Sequence, residues 1–291
     1  MNKKDKKRYK NLLLDSTVSY DKINEEKRNW LPKYIYRYYS FNSHWEQNLF
    51  EGIVHCESPC CYNDPFDGWF AFTMLPQILD IELTDDIRQD ILIGNAVIRK
   101  QLKNACFSEK NDSILMWSHY SSKHAGFCIE YDTTLIPELI WTFLFPVAYT
   151  KTLYDASLLR LGIMKEKLLK DYKNSLSRSL IAYLDSISDD YFVNICLNPT
   201  LFKSKEWEYE AEWRLCSNDN MDQQIFSLNA DHNIDMLSCI SAVYLGAEFH
   251  DSKRLEGIKD WAIVNRKRVY QMEKSASSFS LNAMLLYAPE L

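Results

Sequence analysis

Trp207 to Leu215 reads WEYEAEWRL, and in an extended chain its alternation sets Glu208, Glu210, Glu212 and Arg214 against Tyr209, Ala211, Trp213 and Leu215. Three carboxylates and a guanidinium on one side of a strand most often face water. Turned into a cleft, Glu210 and Glu212 could instead stabilise a developing cation or take up a proton. Stiff aromatics such as Trp207 and Trp213 commonly wall such pockets. A second grouping, MWSHYSSKHAGFCIEYD, packs Trp117, Ser118, His119, Tyr120 and His124 into eight residues, each of which fits a structural role as readily as a chemical one. In a third, YIYRYYS, Arg37 sits among Tyr34, Tyr36, Tyr38 and Tyr39. There its fork can grip phosphate or carboxylate, or stack on the neighbouring rings.

These residues need elements to hold them. Residues 1–30 are lysine-rich and read as a helical arm, and a single α+β domain is expected over residues 31–291. Strands are expected at KYIYRYYS, GIVHCES, GFCIEYD, FPVAYT, WEYEAEWRL and ISAVYLG, with a last one near Arg268 to Met272. SILMWSHY reads as a buried run. Helical spacing is found at Trp45 to Phe50, from Leu75 to Phe107, from Ala156 to Cys196 and over Ser252 to Val264. CYNDPFDG is turn chemistry. Helices and strands mix without regular βαβ alternation, which favours a mixed or antiparallel sheet with flanking helices.

Composition removes several classes. Seven glycines in 291 residues, none closely spaced, allow neither a dinucleotide fingerprint nor a P-loop. The net charge of −6 does not imply a dominant basic surface for nucleic acid. With no long apolar stretch and no signal-peptide core, a soluble cytoplasmic protein without membrane contact is expected. Eight scattered cysteines are expected to be reduced. His55, Cys56, Cys60 and Cys61 resemble a zinc cluster in composition, but no second pair has finger spacing, so no metal site is expected.

Taken in order, YRYYS, NDPFD (Asn63 to Asp67), MWSHYSSKHAGFCIEYD and WEYEAEWRL followed by ISAVYLG resemble an uncharacterised bacterial family, domain of unknown function 2971, over residues 31–245. The same order is similar to the three-part signature of ADP-ribosyltransferases. That resemblance implies a split-sheet fold that binds NAD as a substrate without a glycine-rich loop. It makes Glu212 the main catalytic carboxylate and gives Glu210 the acceptor. Arg37 and Tyr36, with Ser118, His119 and Tyr120, would bind NAD, although the expected Ser-Thr-Ser is missing from the middle element. The function implied is that of a toxin or phage-defence effector modifying protein or nucleic acid, with an antitoxin or regulatory partner. Two other readings stand beside it: a Mg²⁺-dependent nuclease using Asp64, Asp67, Glu210 and Glu212, and a non-catalytic binding or regulatory module.

Overall fold

The computed structural model describes residues 1–15, 18–74, 102–157, 173–186, 197–218 and 233–289, with scattered positions at 85–100 and 161–170. In chain order the first elements are helices α1 (Lys3–Leu14) and α2 (Tyr20–Arg28), strand β1 (Tyr34–Tyr39), helix α3 (Trp45–Phe50), and strands β2 (Ile53–His55), β3 (Phe70–Ala71) and β4 (Leu102–Ser108). Helix α4 (Ile114–Tyr120), β5 (Phe127–Asp132), α5 (Glu138–Thr142), β6 (Leu144–Pro146), β7 (Ala148–Thr150), β8 (Tyr154–Asp155) and α6 (Arg178–Ser186) follow. The chain continues through β9 (Phe202–Ser204), β10 (Glu212–Asn218), β11 (Asn233–Asp235), β12 (Ile240–Leu245), α7 (Ser252–Asn265), β13 (Arg268–Lys274) and β14 (Leu281–Tyr287). The architecture is mixed α+β. No described helix is long and apolar enough to cross a membrane.

Packing divides the chain into two compact units. The first comprises Met1–Trp30, Glu57–Lys103 and Val147–Lys205, so residues 1–30 group with later segments; the second comprises Leu31–Cys56, Asn104–Pro146 and Glu206–Leu291. In the first unit α1 and α2 bury Tyr9, Leu13 and Ile23, and two short parallel pairs form, β3 with β8 and β7 with β9.

The second unit is built on an eight-stranded mixed sheet ordered β14-β13-β12-β5-β1-β4-β10-β6. β1 runs antiparallel to β4 and β5, and β5 antiparallel to β12. β12 and β13 are parallel, as a crossover through α7 requires. The registers sort the side chains. Tyr36 lies opposite Glu130, and Tyr38 opposite Cys128, which in turn lies opposite Tyr244. Together they form one face of the sheet, the tyrosine face. Arg37 lies opposite Ile129, and Tyr39 opposite Phe127, so both fall on the other face, where Ile35, Ile129 and Val243 are fully buried.

Several expectations change. Lys205–Glu210 is a 3₁₀ helix, Ala211 has a left-handed φ of 46°, and the strand begins only at Glu212. The alternation expected from Trp207 onward therefore fails before Glu212. SILMWSHY forms helix α4, started by Ser113, whose side chain accepts from the Met116 amide. Leu102–Phe107, expected as the end of a helix, is strand β4. FPVAYT divides into β6 and β7, and β14 was not expected at all. Most of residues 75–101 and 187–196, both expected as helix, lie outside the described residues.

Two glycines set the close approach of α4's exit to the sheet. A Cβ at Gly126 would lie 2.2 Å from the Tyr39 carbonyl oxygen, and one at Gly246 2.0 Å from that of His124. Gly246→Ala must displace backbone rather than a flexible side chain. We expect it to cost roughly 3 kcal/mol, the upper end of ordinary overpacking, read as a lowered urea midpoint; an unchanged midpoint would show that the turn yields freely.

Candidate active site

Helix α4 packs on β1, and Trp117, fully buried, joins Tyr38, Cys128 and Tyr244 in one cluster. Tyr36, Tyr120, Tyr209 and Tyr270 pack against that cluster while remaining partly exposed. Tyr244 and Tyr270 stack at 4.8 Å, and Tyr36 meets Tyr244 edge-on at 6.1 Å. The tyrosine face is thus an aromatic surface carrying hydroxyls. It also holds carboxylates that are nearly sealed from water.

Glu130 is only 3% exposed. Its carboxylate accepts from the Tyr36 hydroxyl at 3.1 Å, Tyr244 at 2.8 Å, Ser241 at 2.6 Å and Arg268 Nη2 at 2.9 Å. A buried charge needs such partners. Burial first, and then the Glu130 charge and hydrogen bond, push the Tyr36 and Tyr244 phenols well above their ordinary value. Both therefore stay protonated as donors. Sequence reasoning missed Glu130, although it lies inside one of the motifs. The available signal was an acid in the middle of the buried strand GFCIEYD, which must find a cation or hydroxyls.

Glu210 is the second sealed carboxylate, at 3% exposure. Tyr120 donates its hydroxyl to Oε1 at 2.6 Å, and the Glu210 carbonyl accepts from the Ser108 hydroxyl at 2.6 Å. The 3₁₀ turn and left-handed Ala211 aim this side chain, not strand alternation. Glu212 is placed differently. Arg214 Nε and Nη2 grip its two carboxylate oxygens at 2.7 and 3.0 Å, with the guanidinium wholly buried. Trp213 donates to Glu109 at 2.9 Å, so Glu212 and Arg214 alternate to the side of Ser108, which lies opposite Tyr36. Both expected carboxylates thus belong with the tyrosine face, but Glu212 is committed to an ion pair.

The other expected residues divide. His119 is exposed, with its ring 6.2 Å from Tyr120 and 6.4 Å from Tyr209. Arg37 is not brought to Tyr36 and Tyr120, because neighbours on a strand point to opposite faces. Its Nη2 donates to the His55 carbonyl at 3.0 Å, its charge lies over Tyr39 and Phe107, and Nη1 is buried without a hydrogen-bond partner. Asp64 and Asp67 belong to the first unit, where Asp64 accepts from the Phe66 amide and Asp67 pairs with Lys203. Among the described residues no group of three or more His, Cys, Asp or Glu is placed to hold a metal.

Ser118 turns to His124, its hydroxyl 3.0 Å from Nε2. His124 ends a run of three left-handed residues, Ser122, Lys123 and His124. Such strain persists only where surroundings enforce it. Here the His124 amide donates to the Trp117 carbonyl, and the His124 carbonyl accepts from the Glu248 amide. Burial pulls the imidazole below the ordinary histidine value; the Glu248 carboxylate opposes this and Lys274 adds to it. In a fold that lowers a histidine, the unfolded chain binds the extra proton, so stability falls as pH drops below the unfolded value near ~6.5. We expect the His124 ring resonances to titrate below that value by NMR. A midpoint at or above it would contradict a neutral imidazole accepting from Ser118.

The chain matches, over residues 116–215, the model of the family described as "Protein of unknown function (DUF2971)". The match runs from α4 into β10, and so includes Ser118, Tyr120, His124, Glu130, Glu210, Glu212 and Arg214. No curated protein and no solved structure matches the chain.

Proposed function

We propose, starting from a family whose description supplies no activity, that this protein is an ADP-ribosyltransferase-like enzyme that breaks the nicotinamide–ribose bond of NAD at the tyrosine face. The observation that carries the reading is Glu210, a carboxylate 3% exposed, held by Tyr120 within an aromatic surface. Breaking an N-glycosidic bond builds positive charge on the ribose, and a fixed, desolvated carboxylate stabilises that charge more than water does. Partly exposed tyrosine rings suit the planar nicotinamide.

The roles shift from those of the sequence resemblance. Glu210, rather than Glu212, is the carboxylate beside the ribose, and Tyr120 fixes its position. Arg268 replaces Arg37 as the cation for NAD phosphates, since it stands on the Glu130 side and its side chain is 36% exposed. Glu212 and Arg214 brace the start of β10. The setting is a cytoplasmic bacterial toxin or phage-defence effector, with a protein or nucleic-acid acceptor and a neutralising partner.

The test is incubation of the full chain with labelled NAD and with cell protein or nucleic acid as acceptor, comparing wild type with Glu210→Gln. Nicotinamide release by wild type and its loss in the variant support the reading. Release that survives the substitution removes Glu210 from its role. No release with any acceptor leaves the tyrosine face as a binding surface.

A further inference from the structure

The first unit contains a pocket of about 220 Å³ that the tyrosine face does not use. Phe66, Trp69, Tyr154 and Phe202 supply its rings and Lys151 and Lys203 its charges, and among the described residues no acidic side chain lines it. The parallel pair β7 and β9 forms one wall, with Tyr149 registered to Lys203 and Thr150 to Ser204. Tyr154 and Phe202 stack at 4.9 Å, and each is nearly buried.

NDPFD contributes Phe66 to the lining. Asp64 accepts from the Phe66 amide at 2.9 Å, and the Trp69 amide donates to the Phe66 carbonyl at 3.0 Å. This tight turn holds Phe66 out at 63% exposure. Folding alone gives no return for an aromatic so exposed. Behind the turn Lys203 pairs with the Asp67 carboxylate at 3.4 Å, and Arg99 donates to the Asp67 carbonyl at 2.8 Å while lying 5.2 Å over the Trp69 ring. Arg99 Nε is buried without a hydrogen-bond partner.

We infer that this pocket binds a planar aromatic ring bearing an anionic group, of the nucleoside monophosphate class. Rings of this kind stack on aromatic side chains, and a phosphate is drawn to a lysine such as Lys151, which lines the pocket. The volume is below the roughly 300–1,000 Å³ of pockets that enclose larger ligands. It has room for one ring system and not for a dinucleotide.

The test is calorimetric titration of the full chain with AMP, adenosine and inorganic phosphate as separate probes. AMP is expected to bind at least about ten-fold tighter than either part, because the rings and the lysines act together. Phe66→Ala is expected to weaken AMP about ten-fold, within the range measured for a lost stacking ring, and Lys151→Ala about three-fold, as befits an exposed cation. Both residues are solvent-exposed, so neither change threatens the fold, which circular dichroism would check. Glu210→Gln, in the second unit, is expected to leave AMP affinity unchanged. Binding that Glu210→Gln abolishes, binding insensitive to both Phe66→Ala and Lys151→Ala, equal affinity for AMP and adenosine, or no binding at millimolar AMP would each overturn the assignment.

Discussion

Glu210→Gln is expected to lower NAD turnover by roughly 10²- to 10³-fold while leaving the melting temperature close to wild type, the size of effect seen when one preorganised electrostatic group is removed. Glutamine keeps the shape of the side chain and can still accept from Tyr120 through its carbonyl oxygen, so the 2.6 Å contact and the packing of α4 survive. What disappears is the negative charge. Aspartate keeps the charge but shortens the side chain by one methylene, so Glu210→Asp should recover only part of the rate, since a misplacement on the order of 1 Å costs ~10²-fold. Tyr120→Phe leaves the carboxylate charged but loosely held. Its expected loss is smaller, about ten-fold, and falls on kcat more than on KM if Tyr120 positions Glu210 rather than binding NAD. Equal losses of rate and stability in Glu210→Gln would mark the carboxylate as structural.

The sequence carried the regular strands and missed the turns that aim the side chains. β1, β5 and β12 are legible because YIYRYYS, GFCIEYD and ISAVYLG are rich in β-branched and aromatic residues, and the structure places strands at all three. WEYEAEWR offered a full alternation of charged and apolar residues, but the decisive event is the positive φ of Ala211, which a side chain with a Cβ rarely adopts and composition cannot announce. SILMWSHY shows another limit. A short apolar run fits helix or buried strand equally, and only Ser113 as N-cap favoured the helix. Arg37 was a failure of phase rather than of element. The strand was right, yet neighbours on a strand face opposite ways, so Tyr36 and Arg37 could never serve one site together. Glu130 was readable only by asking where a buried charge finds its partners. Three of them, Ser241, Tyr244 and Arg268, lie more than one hundred residues away along the chain.

Arg214→Met is expected to destabilise the protein by roughly 3–5 kcal/mol, because it strands the buried Glu212 carboxylate without its cation. The loss is a large share of a typical total stability of ~5–15 kcal/mol, so the urea midpoint should fall far enough to be unmistakable. Glu212→Gln tests the same pair from the other side: it leaves the fully buried Arg214 guanidinium facing a neutral amide. The double replacement Glu212→Leu with Arg214→Met removes both charges, and buried pairs replaced by apolar residues of similar size are often no less stable than the original. Recovery in the double variant would therefore show that the single losses come from an unpaired charge. The same series separates the two glutamates. If Glu212 braces β10, then Glu212→Gln lowers the midpoint and, measured well below it, keeps most of the NAD turnover. If Glu212→Gln instead leaves the midpoint in place and abolishes turnover, the ion pair orients a catalytic carboxylate, and Glu212 takes the place of Glu210 beside the ribose.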